Sequence, residues 1–502
     1  MPHSESQGKG MTRTNMTTLR ALALFGLLAL TPFATVLLTT DASAAGAPPN
    51  PAKATLELAK KQFALPPGAA MELSMRGSTS RPEQARDAAA AFADVPSDQS
   101  VVLTEDGRFR LKTRTLYPGS IVFSFLTVGS PQGSSTIDEL QWRDGTEISK
   151  EDAASARKDY ADLLFLSPAL LLRDALNRKP VSKPAARNAE PGATQRIEVS
   201  FKDAAGRPTT LTLDTASGRI ESATSGTRRF TYVGYQKQKT LLQPTRITQY
   251  DGDRVATRWN DVTTLLMPAP SPEVFNLPDG YTEAADRSPL RATDLGEGAY
   301  RIDGAPSGYH TGFVVGDRAI AVFDAPVSVE EAEQVKAVIE KAAPGKRIAY
   351  VVVSHPHGDH VAGLRAYLKD GIEVVTGPGA GVALKRQLSA SAQLKLREVN
   401  NTDELDLGGR TLKLYAINST HASSMLVAYA PASRTVFQGD LFYLPEVGPV
   451  PPAFDGAGEL STLITASQGL FVERIVGVHG RTGTLDDLNQ SLALRKGGGF
   501  AR

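Results

Sequence analysis

Directly after the apolar run Ala349–Val353 stands Ser354-His355-Pro356-His357-Gly358-Asp359-His360, and a helical pattern opens at Val361. This cluster constrains the fold more than any other feature. Four ligand-type side chains within so few residues need the end of a buried strand, where a loop can aim them all at one point. Similar single residues recur behind three later apolar runs: His421 after Thr411–Ile417, Asp440 after Thr435–Gln438, and His479 after Arg474–Val478. The chain has only 7 histidines, so such clustering carries information. It has no cysteine, so any metal must be held by His, Asp or Glu, and a cysteine-linked lipid anchor is excluded.

At 502 residues the chain exceeds what one hydrophobic core usually serves, so two domains are expected. The 55 basic and 54 acidic residues leave a charge of +1, without the basic footprint of a nucleic-acid binder. Arg13 and Arg20, the apolar run Ala21–Leu30 and Ala42-Ser43-Ala44 follow the order of a secretory signal. Residues 1–44 are therefore read as a signal peptide of an exported protein, periplasmic or secreted, with no stable membrane span once it is removed. An uncleaved anchor continuing to Leu38 is the alternative, and translation from Met1 or Met11 stays open. Residues 45–51 read as a linker.

Residues 52–278 read as an α+β domain with a mainly antiparallel sheet. Helical patterns at Thr55–Ala64, Pro82–Phe92 and Lys150 to about Leu176 accompany period-two strands from Val101–Thr104 to Arg254–Thr263. The proline-rich segment Met267–Pro278 marks the boundary. Within 290–502, strands alternate with helices: Ala319–Phe323, helix Ser328–Lys341, Ile348–Val353, helix Val361–Leu368, Glu373–Thr376. That is an α/β layout.

The His-x-His-x-Asp-His frame, followed by a lone His, a lone Asp and a final His behind strands, resembles the metallo-β-lactamase superfamily over roughly residues 295–490. The resemblance implies an αββα sandwich with His355, His357 and His421 on a first metal. Asp359, His360 and His479 would hold a second, with Asp440 bridging. It further implies two divalent ions that hold a hydroxide between them, with Asp359 orienting it for attack on a small-molecule substrate. Zinc suits these donors; iron and manganese stay open because no sulfur ligand discriminates.

Three further residues are candidates around this set. Asp324 stands where relatives keep an acidic residue supporting the ligands, or else is an ordinary strand-end turn residue. His310, on Gly308-Tyr309-His310, is read as a surface histidine in preference to one at the mouth of the site. Tyr443 and the proline-rich loop to Pro452 either cover the substrate or merely connect strand to helix.

The N-terminal half, with Asp214-x-x-Ser217-Gly218 and Phe275-Asn276-Leu277-Pro278, resembles a lipoprotein-carrier type of half-barrel. Such a sheet would wrap a helix or an acyl chain; a packing domain that touches no ligand is the preferred reading. The function expected is hydrolysis of an ester, thioester, lactone, amide or phosphodiester. An aspartate bridge fits the thioesterase, lactonase and phosphodiesterase branches better than true β-lactamases. Twenty-three residues after His479 leave no room for the helical domain of glyoxalase II. A periplasmic ligand carrier with a non-hydrolytic metal half, and an iron-dependent oxygenase on the same ligands, are the alternatives. Oligomeric state stays open.

Overall fold

Strand Ala319–Phe323 shows how the C-terminal part is layered, because its side chains alternate between two cores. Ile320 and Val322 pack with Ala332, Val335 and Ile339 of helix Val329–Ala342, while Ala321 and Phe323 face Leu412, Leu426 and Phe437 of a second sheet. Ser328 caps that helix by accepting from Glu331 N, and Glu330 and Lys341 complement its dipole. The computed structural model describes residues 51–496 apart from 91–93, 143–144, 186–194, 239–240, 268, 369–370 and 389–393. The signal reading of 1–44, and all of the 45–51 linker but its last residue, lie outside the described residues.

The first C-terminal sheet runs in the order 291–296, 299–303, 311–315, 319–323, 347–353, 373–376, 395–398, antiparallel up to strand 319–323 and parallel beyond it. The second runs 402–406, 411–417, 425–430, 435–438, 474–477, and only its last pair is parallel. A helical layer with Leu460, Ile464 and Leu488 covers its outer face through Val427, Val436 and Ile475. The result is the expected four-layer αββα sandwich.

The N-terminal half is a fourteen-stranded sheet, antiparallel except where Thr282–Glu283 joins Glu147–Glu151 at one edge. Strict alternation, as in buried Ile197, Val199 and Phe201, gives the sheet one apolar face. That face packs on helices Pro51–Gln62, Ala153–Leu164 and Pro168–Asn177. The last two were expected as one helix; Ser167 capping a new helix with Pro168 in its first turn divides them. The expected helix Pro82–Phe92 is also replaced, by a 3-10 turn at Pro82–Gln84 and an irregular strap, because the Ala85 and Arg86 carbonyls that a helix would use internally bond to the C-terminal part. The pattern Val361–Leu368 likewise forms two short turns, Gly358–Val361 and Arg365–Leu368. The described residues form one compact unit. No helix among the described residues is long and apolar enough to cross a membrane.

Candidate metal centre

All seven expected ligands meet. Strand Arg347–Val353 ends in three fully buried valines, which fixes the loop carrying His355 and His357, and the first turn beyond it carries Asp359 and His360. His421, Asp440 and His479 arrive from loops behind strands of the facing sheet. They form two groups, His355/His357/His421 and Asp359/His360/Asp440/His479, and within each group the candidate ligand atoms lie within 4.8 Å of one another.

In the first group His355 Nε2 lies 3.0 Å from His357 Nδ1 and 3.1 Å from His421 Nε2. In the second, Asp440 Oδ1 lies 3.1 Å from His360 Nε2 and 3.4 Å from His479 Nε2, while Asp359 Oδ2 is 3.8 and 4.0 Å from the same nitrogens. Asp440 Oδ2 turns to the first group, 3.5 Å from His421 Nε2. One carboxylate thus faces both groups.

The chemistry of these donors fits divalent cations. His360 Nε2, His479 Nε2 and Asp440 Oδ1 are buried and lack any hydrogen-bond partner, an arrangement that costs about 1–3 kcal/mol per group unless something else binds there. Burial, together with the neighbouring His360, holds His355 well below the usual histidine range, and burial with His421 pushes His357 down to about 3. Both rings are therefore neutral and free to coordinate at ordinary pH. Burial alone would raise the Asp440 carboxyl, but the imidazoles of His360 and His479 outweigh it and hold it well below the usual carboxylate range. Asp359 follows the same logic, with His360 overcoming burial.

Asp324 braces the candidate ligands directly. It is fully buried, accepts from Ser354 N (2.6 Å) and Ser354 Oγ (2.7 Å), and faces His360 Nδ1 at 2.9 Å. Its φ of +62°, in the left-handed region that non-glycine residues seldom adopt, is held by these bonds. Tyr443 is buried and stacked on His479 with ring centroids 5.0 Å apart, wedged edge-on against Phe454, so it is part of the wall behind the ligand.

His310 is not the surface histidine expected. It is 4% exposed and lies between Glu446 Oε1 (2.5 Å), Ile302 O (3.0 Å) and Asp303 Oδ1 (3.3 Å), with no ligand among these partners. The preceding residue reaches the site instead: Tyr309 packs on His479 at 4.2 Å between centroids and donates its hydroxyl to Asp359 Oδ2 at 3.0 Å. Adjacent residues of extended chain point to opposite sides, so weight on His310 should have directed attention to its neighbour. Gln84, which donates to Asp359 Oδ1 at 2.7 Å, was also missed, and no local signal marks it. Beside it opens a cavity of about 1140 Å³ on the N-terminal sheet, with Arg81, Glu83 and Tyr117 at the metal-centre end and Phe123, Phe125 and Trp259 along its lining.

Residues 305–478 match the family model of the metallo-beta-lactamase superfamily. The C-terminal part therefore carries a domain of that superfamily. No curated protein matches the chain. Among solved structures, the metallo-beta-lactamase from Pontibacter korlensis matches at 16% identity and TM-score 0.33, covering 41% of this chain and 99% of that one. The sec-alkylsulfatase Pisa1 from Pseudomonas sp. matches at 17% identity and TM-score 0.32, with 41% of each chain covered, so this chain spans about two-fifths of that enzyme. The flavodiiron protein from Giardia intestinalis matches at 17% identity and TM-score 0.34, covering 42% and 59%.

Proposed function

We propose that this metallo-beta-lactamase domain is a metal-dependent hydrolase with two divalent ions, one held by His355, His357 and His421, the other by Asp359, His360 and His479, with Asp440 shared. The observation that carries this reading is Asp440, whose two oxygens face two separate clusters of imidazole nitrogen. When bound, a pair of such ions supplies Lewis acidity and a water that loses a proton near neutral pH. Imidazole and carboxylate donors without sulfur suit zinc, and iron or manganese are the other candidates.

The chain's own residues organise the rest. Asp359 is ionised and held at both oxygens, by Gln84 and Tyr309, so it is a fixed acceptor for a proton from the attacking water. Tyr309 and Tyr443 flank the His479 ring and restrict water around it. The substrate is a small molecule carrying an ester, thioester, lactone, amide or phosphodiester group, and the adjoining cavity gives room for the part that does not react.

Activity toward a panel of these bond classes, with wild type and Asp359→Ala assayed in parallel, tests the reading. Asp359→Ala is expected to lower turnover roughly 10²- to 10⁴-fold while weakening only the second ion. Equal turnover in both proteins contradicts the assignment.

A further inference from the structure

Three of the seven candidate ligands are held from behind by the N-terminal half. His357 bonds through Nε2 to Ala85 O at 3.2 Å, and this turns its Nδ1 toward His355. His421 bonds through Nδ1 to Pro118 O at 3.0 Å, and this turns its Nε2 toward the same ring. A neutral imidazole carries one ring proton, so donation to a carbonyl decides which nitrogen is left bare for an ion. Gln84 adds the bond to Asp359 Oδ1. By contrast, the partners of His355 and His360, Ser354 and Asp324, belong to the metallo-beta-lactamase domain itself.

The fit between the two parts is close. Gly119 has φ +81°, and a Cβ there would stand 3.0 Å from His421 Cβ; a Cβ on Gly358 would stand 3.1 Å from the Glu83 side chain. Ser423 N donates to Arg86 O at 2.8 Å and Arg86 bonds Asn418 at 2.8 Å, which fastens the strap on both sides of His421. Two of these bonds occupy the Ala85 and Arg86 carbonyls, which a helix through the 82–90 strap would need for itself, so its helical pattern is not realised.

We propose that the N-terminal half is a built-in part of the metal centre. Its Ala85 and Pro118 carbonyls set the affinity of the three-histidine position, and Gln84 is a positioning residue for Asp359. This rests on the two-ion reading above. It gives the N-terminal half a role that neither a carrier nor an independent packing domain would have, since removing its contacts would leave two ring tautomers and one carboxylate undirected.

The test is a zinc titration by calorimetry on metal-free full-length protein: wild type, Gly119→Ala, Gln84→Ala and Gln84→Met. His357→Ala and Asp359→Ala identify which position each binding step reports, and circular dichroism with thermal unfolding of the metal-free proteins monitors folding. Wild type is expected to take up two ions. Gly119→Ala should lose about 10- to 100-fold in affinity at the three-histidine position and keep the other. Gln84→Ala should weaken the Asp359 position. Gln84→Met, similar in size but without the donor, should weaken it as much as Gln84→Ala does, a loss that a role in packing alone would not produce. If Gly119→Ala does not fold, the two Gln84 variants decide. Folded variants with wild-type affinity for both ions overturn this inference alone. Wild-type protein that binds no zinc overturns the proposed function and this inference with it.

Discussion

In the metallo-beta-lactamase domain every candidate ligand follows closely on a strand, whereas the N-terminal half meets the same centre through main-chain carbonyls and one glutamine. The difference separates what a side chain can advertise from what only a backbone position supplies. Ligands must be His, Asp or Glu and therefore stand out. A carbonyl that fixes a tautomer belongs to whatever residue happens to be there, here Ala85 and Pro118.

The largest effect that probes this comparison is on stability. Phe437, 1% exposed between the two C-terminal sheets, and Phe109, fully buried under the N-terminal helices, each belong to a different core. Either one changed to alanine should cost about 3–5 kcal/mol. Because the described residues form one compact unit with the strap bonded across it, both variants should lower the same single thermal transition. Two transitions, each moved by only one variant, would show the halves to be independent.

A smaller effect sharpens the contrast at the ligands. Asp324→Asn removes the carboxylate that faces His360 Nδ1, so affinity at the four-residue group should fall about 10- to 100-fold, with a smaller loss at the three-histidine group through the Ser354 hydroxyl that joins Asp324 to His355. This is the reverse of the pattern expected for Gly119→Ala. Calorimetric zinc titration of both proteins reads it; identical profiles would mean that the two halves do not divide the support of the centre.

The smallest effect is a pH dependence. Burial alone would lower the His310 pKa, but the Asp303 and Glu446 carboxylates beside its ring outweigh that and raise it. A raised histidine contributes stability that is fully present below its unfolded value of 6.5 and is lost as pH rises through the folded one. The stability gap between wild type and His310→Gln should therefore narrow from pH 6.5 upward in urea melts. A gap independent of pH would mean that folding leaves the His310 pKa unshifted.

What could be read from the sequence follows the same division. The αββα layering was legible because strands such as Ala319–Phe323 are apolar on both faces and alternate with amphipathic helices such as Val329–Ala342. The seven candidate ligands were legible because residue type and strand-end position coincide. Asp324 was half legible, since its role depends on a left-handed backbone that local sequence does not reveal. The 82–90 strap was misread as a helix because its alanines favour one locally, while long-range bonds to His357, Asp359 and Ser423 prevail. His310 drew attention that belonged to Tyr309, because residue type was weighed before the alternation of the chain.

The most direct measurement is anomalous diffraction at the zinc edge from a crystal of the full chain grown with zinc. Two peaks are predicted, one enclosed by His355, His357 and His421, the other by Asp359, His360 and His479, with Asp440 between them. A single peak, or zinc bound away from these side chains, would contradict the shared-carboxylate centre on which the hydrolytic reading stands.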